Sequence, residues 1–146
     1  MPETISIRQQ ICTKVASALA GINGTGSYKL NLASVLKEWA AAPAEDDKLY
    51  CSWRDTSGVV EWSMGREKHT LTIDVYVFTN TAANTRKGIA DVTVAFGVDK
   101  TWGGLAIKTF KTGESMDAMH KQKFNIGAKV TFTIEYLVKY LDPYNQ

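Results

Sequence analysis

The chain has 146 residues, 45% hydrophobic and 22% charged, with 17 basic against 15 acidic side chains. That length suits one domain with a real core, and a net charge of +2 excludes the one-sided basic excess of a typical nucleic-acid binder. No apolar run approaches the roughly 18 residues of a spanning helix. The start, Met1-Pro2-Glu3-Thr4, lacks the basic-then-apolar pattern of a signal peptide, so folding in the cytoplasm is expected.

In chain order, Ile7, Ile11, Val15, Ala18, Leu19 and Ile22 recur at spacings of three and four, which predicts a helix over Ile5–Ala20. Thr4 is placed to cap it, and Gly21 to stop it through a positive φ. Residues 22–27 read as a Gly/Asn loop. Tyr28–Leu32 reads as a short extended piece, and Ala33–Ala42 as one or two helical turns ended by Pro43. Ala44-Glu45-Asp46-Asp47-Lys48 reads as a solvated acidic turn. A strand is expected over Leu49–Trp53, a turn over Arg54–Gly58, a return strand over Val59–Met64 and a break at Gly65.

Strict alternation then sets in. Leu71, Ile73, Val75 and Val77 point one way, and Thr70, Thr72 and Asp74 the other, within a long strand Glu67–Phe78. Asn80 or Thr81 is expected to cap a helix over Ala82–Val98, with Ile89, Val92 and Phe96 on its apolar face. Asp99–Gly104 reads as a tight turn and Leu105–Thr112 as an ambiguous strand. Residues 112–126 are polar and read as a long loop. Lys129–Leu141 alternates again, with Val130, Phe132, Ile134, Tyr136, Val138 and Tyr140 on one face. Asp142-Pro143 ends it. The expected fold is α+β: one domain over residues 1–146, an antiparallel or mixed sheet with two main helices on one face.

Chemistry is sparse in the pattern. His69 and His120 lie far apart with no metal-ligand spacing around them, and no GxSxG elbow is present. Cys12 and Cys51 read as half-buried thiols in a reducing compartment. Glu45, Asp46 and Asp47 are three adjacent acids in a loop, a solvated turn rather than a paired acid and base. Gly21–Gly26 follows a helix and lacks a phosphate-binding lysine. Trp39, Trp53, Trp62 and Trp102 have no interleaved basic run, which favours core or subunit-interface packing over base stacking. No catalytic residue, metal or cofactor is expected. A small hydrolase using Cys51 or His120 is the competing enzyme reading.

The ordered layout resembles the tail terminator, or tail completion, proteins of long-tailed bacteriophages. The residues that carry it are Ile7-Arg8-Gln9-Gln10-Ile11 in the first helix, Leu71–Val77 as the long strand and the Ile- and Val-rich helix after it. The turn Asp99-Lys100-Thr101-Trp102-Gly103-Gly104-Leu105, the closing strand Val130–Tyr136 and Pro143 complete the set. Trp102 stands where that turn more usually has Leu.

The resemblance implies a virion protein assembled in the host cytoplasm. It implies a ring of identical subunits, commonly a hexamer, that ends growth of the tail tube and joins it to the head connector. Partners would be the chain itself, the tail tube protein and the connector protein, with neighbouring sheath and with DNA sliding through the lumen without tight binding. A head-completion adaptor on the connector side is the alternative. The segments expected to touch neighbours are the acidic loop with Glu45, Asp46 and Asp47, and the polar loop with Met116, Asp117, Met119, His120, Lys121 and Lys123. The turn motif Asp99, Trp102, Gly103 and Gly104 is carried over from the resemblance as a feature of the family's layout.

Overall fold

The computed structural model describes residues 4–39, 49–118 and 126–146. The described elements are α1 (Ile7–Ala20), a 3-10 turn (Leu32–Val35), β1 (Leu36–Glu38), β2 (Tyr50–Ser63), β3 (Arg66–Thr79), α2 (Ala82–Gly97), β4 (Lys108–Ala118) and β5 (Ile126–Lys139). They form one α+β domain. Its five-stranded sheet has the order β1-β2-β3-β5-β4. β2, β3, β5 and β4 are antiparallel, and β1 adds a three-residue parallel edge beside Cys51–Trp53.

β3 and β5 pair over their full length, with Val75 opposite Val130 and Ile73 opposite Phe132. Opposed residues share a face, so the two expected apolar stripes merge into one sheet of contacts. Leu71, Ile73, Val75 and Val77 are buried, as are Val130, Phe132, Ile134, Tyr136 and Val138. Tyr140 departs from the expected stripe. β5 ends at Lys139 and the chain doubles back through a Lys139–Asp142 bridge, which leaves Tyr140 exposed.

Both helices cover that same face. α1 buries Ile7, Ile11, Val15 and Leu19, each one turn after the last. Its cap is Ser6, whose hydroxyl accepts from the Gln9 N–H at 3.2 Å, and not the expected Thr4. Gly21 closes the helix at φ −78°, without the left-handed turn expected there. Thr81 caps α2 as expected, accepting from the Asn84 N–H at 3.1 Å. Gly88 lets α2 lie close on β3: a Cβ there would sit 2.6 Å from Cγ1 of Val77. Asp91 is 1% exposed and turns back from α2 to the loop before the 3-10 turn. Its carboxylate accepts from the backbone N–H groups of Lys29 (3.0 Å) and Leu30 (2.7 Å). A segment without regular structure thereby gains partners for two otherwise unpaired donors.

Four expectations fail here. The Arg54–Gly58 turn is instead a bulge inside the single strand β2, where Asp55 faces Ile73 and Gly58 faces Leu71. One extra residue is absorbed without ending the ladder. The real reversal is Met64-Gly65, with φ of 50° and 78°, the two positive values of the tight hairpin turn that matches strand twist. Of the helical turns expected over Ala33–Ala42, residues 33–39 hold only the end of the 3-10 turn and β1, and the rest lie outside the described residues; the expected extended piece Tyr28–Leu32 is a loop. The polar loop over residues 112–126 is β4 as far as Ala118. An edge strand on an open sheet needs no apolar face, so its polar sequence concealed it.

Two stability experiments follow. Asp91→Ala is expected to cost about 3 kcal/mol in urea unfolding, because it strands buried N–H donors and removes charge-assisted bonds. Met64→Asn is expected to raise stability by about 1 kcal/mol, since Asn tolerates the left-handed position that strains Met.

Candidate assembly surface

The turn after α2 is built by its first residue. Oδ1 of Asp99 accepts from the N–H and hydroxyl of Thr101, both at 3.0 Å, and Oδ2 accepts from the Gly103 N–H at 2.7 Å. Those backbone bonds, that from Gly103 foremost, hold the Asp99 carboxyl below its usual range. The bonds curl the chain through Gly103 and Gly104, at φ 72° and 88°, and through Trp102 at φ 53°. Trp102 is driven inward, 3% exposed. Its indole N–H donates to Oγ1 of Thr109 at 2.8 Å, and its ring meets Phe96 edge-on at 5.3 Å. Phe96 in turn stacks on Phe132 at 3.8 Å. The turn therefore pins the end of α2 to β4 and β5. Asp99, Gly103 and Gly104 face solvent, but Trp102 is a core residue with no reach to a neighbour.

Of the residues expected to touch partners, Glu45, Asp46, Asp47, Met119, His120, Lys121 and Lys123 lie outside the described residues. Met116 and Asp117 belong to β4, not to a loop. Met116 is partly exposed and lines a groove of about 700 Å³ between α2 and β4. Ile89, Ala90 and Val94 of α2 form the opposite wall. Arg86 stands at the groove, and Lys111 there is engaged by Glu114.

A group of exposed apolar side chains lies outside the expected set. Val59, Val60, Trp62 and Met64 all lie at the far end of the β2–β3 hairpin, with Trp62 69% and Met64 93% exposed. β2 loses its β1 neighbour after Trp53, so among the described residues this stretch is also a strand edge. Clustered exposed apolar residues beside an open edge mark a contact surface. The available signal was the doublet Val59-Val60: in a strand, one of two adjacent apolar residues must face away from the core.

The four tryptophans divide accordingly. Trp53 and Trp102 are core; Trp39 and Trp62 are on the surface. The Trp39 indole N–H donates to Oδ1 of Asp55 at 2.9 Å, while Oδ2 accepts from Nε of Arg8 at 2.8 Å. Burial pushes the Asp55 carboxyl up, but the bonds from Trp39 and Arg8, with the Arg8 charge, outweigh it and leave it below the usual range. Arg54, next along β2, places its guanidinium over the rings of Trp39 and Tyr76, at 5.6 and 4.8 Å. Trp39, at φ 54°, is thus tied to β2 from both sides.

The candidate nucleophiles are sequestered. Cys12 and Cys51 are fully rather than half buried and unpaired, and burial pushes each thiol up to about 12. Almost no thiolate exists at neutral pH, which is the reactive form. His69 stacks on Tyr136 at 4.9 Å, and its Nε2 lies 2.9 Å from Glu67. Glu67 also accepts from the Leu141 N–H at 2.9 Å, so this pair ties the C-terminal segment to β3. Among the described residues, no three His, Cys, Asp or Glu side chains are grouped to hold a metal ion, and no helix is long and apolar enough to cross a membrane.

No protein-family model matches the chain, and no curated protein matches it in sequence.

Asp55→Asn is expected to cost about 1 kcal/mol at pH 7, a modest figure because the Arg8 side chain is 42% exposed and the pair is screened. A depressed folded-state pKa stabilises above the unfolded value, about 3.9. The difference between wild type and variant should therefore be full above about pH 5 and vanish as pH falls through the lower folded value. Thermal melts at stepped pH check it. Thiol titration at pH 8 should find neither cysteine reactive in the native protein and both reactive in denaturant.

Proposed function

We propose that this chain is a structural subunit of a phage tail: a tail terminator that forms a ring on the last layer of tube and joins it to the head connector. The observation that supports this best is the exposed apolar end of the β2–β3 hairpin on a sheet whose edges are open among the described residues. An open edge invites pairing, and a soluble chain rarely carries so concentrated an apolar surface without a partner. Contacts between unlike surfaces of identical chains close into rings when the rotation allows.

The rest of the molecule is consistent with a scaffold. Its ionisable groups are spent on structure: Asp91 on a loop, Asp99 on a turn, Asp55 and Glu67 on holding termini to the sheet. Its thiols are buried beyond reach of a substrate. The near-neutral charge suits a lumen through which DNA slides without being held. The ring would be a hexamer in the virion, its neighbours the tube protein on one side and the connector on the other.

Native mass spectrometry of the purified chain, alone and with tail tube subunits, tests the reading. Discrete closed oligomers in the presence of tube protein are expected. A chain that stays monomeric in both conditions and binds no tube subunit overturns it, and capture by connector subunits alone reassigns the chain to the adaptor role.

A further inference from the structure

We infer that residues 140–146 form an exchangeable strap, folded back on their own α1 in a single copy and docked on α1 of the next copy in the assembled ring. The inference rests on the ring reading and names a contact that would link its subunits.

Three observations at one hinge carry it. First, the reversal is strained. Leu141 holds φ 54°, a left-handed position that its Cβ disfavours and that Gly takes freely. Short connections under strain favour exchange between copies, because opening relieves them. Second, the hinge interrupts the pattern of an unbroken strand. The alternation of β5 runs on through Val138 and Tyr140, yet the ladder with β3 stops at Lys139, opposite Arg66. Local preference for an extended chain conflicts with the observed reversal, and such conflicts gather at functional sites. Third, the strap is held mainly by hydrogen bonds of its backbone. The Tyr140 N–H donates to the Gly65 carbonyl at 3.1 Å, the Leu141 N–H to Glu67 at 2.9 Å and the Lys139 N–H to the Asn145 carbonyl at 2.8 Å. Tyr140, Leu141 and Tyr144 stay exposed. A segment that buries so little apolar surface opens at low cost.

The docking site is the one the strap already occupies. The Ile7 N–H, one of the donors that the first turn of a helix leaves without a helical partner, donates to the Pro143 carbonyl at 2.9 Å. Asp142 shapes the strap from within, accepting from the Tyr144 N–H at 3.2 Å and from the Asn145 amide at 2.8 Å. These inner bonds travel with the strap, so a neighbour's strap offers α1 the same carbonyl in the same setting. Exchange replaces the contact with α1 by an identical one, which is why swapped elements join copies at little cost. Passed from each copy to the next, the strap makes a head-to-tail link, the kind that closes into a ring where the rotation allows.

Site-specific crosslinking tests this. Benzoylphenylalanine replaces Tyr144, and unlabelled and isotope-labelled copies are mixed before assembly, with tube protein if it is needed. Irradiated assemblies are expected to yield peptides that join residue 144 of one label to the start of α1 of the other. Crosslinks to α1 only within single copies, crosslinks to tube protein, or none to α1, overturn the inference and leave the ring reading standing. A wild-type chain that never assembles removes both.

The hinge gives a second readout. Leu141→Gly relieves the folded-back form and is expected to raise the concentration required for assembly about tenfold. Leu141→Pro, whose ring forbids a positive φ, is expected to lower it. Shifts of both variants in one direction, or no shift in either, overturn the exchange.

Discussion

The pairing of β3 with β5 is the constraint on which the molecule depends. Fourteen residues on each strand are held in one register, and a slip of one residue would turn Leu71, Ile73, Val75 and Val77 to water together with their partners. Each fully buried Val, Ile or Leu contributes about 1.5–3 kcal/mol, so competing registers lie far above this one. Everything else attaches to that pair: α2 through the close approach at Gly88, β2 along one side, β4 along the other.

Because both helices lie on one face, the other face of the sheet is uncovered among the described residues and carries Thr70, Thr72, Thr131 and Thr133 along it. The consequences reach to the edges. Among the described residues, a sheet covered on one side and flanked by a short β1 and a polar β4 keeps strand edges and a hairpin end free. Local devices stabilise what the core does not reach. Asp91 ties down the loop before β1, Asp99 shapes the turn that inserts Trp102 behind Phe96, and Arg8 and Trp39 converge on Asp55 beside the bulge. Each of these acids is engaged by internal donors.

Much of the scaffold was legible in the residues. β3, β5 and α2 announce themselves because burial on one side imposes a period, and Thr81 and Gly65 mark a start and a reversal by their chemistry. The turn composition of Asp55–Gly58 divides β2 into two apparent strands, yet a bulge uses the same residue types. The start of β4, Lys108–Thr112, carries an ambiguous strand pattern, and its remainder looks like loop because an edge strand facing solvent need not alternate. The surface was less legible still. Trp39 and Trp62 have the same side chain as Trp53 and Trp102, and only the neighbours brought by the fold separate an exposed ring from a buried one. The groove joins residues of α2 to Met116, more than twenty positions onward, with no local signature.

The residue pattern alone thus determined the α+β class, the two apolar stripes and the helix that covers them, since period and capping act between near neighbours in the chain. Which aromatic side chains reach water, where the strand edges lie and that a groove opens between α2 and β4 were settled only by the tertiary structure. Those properties depend on which segments meet across the sheet, and burial is a property of the assembled surface rather than of any one residue.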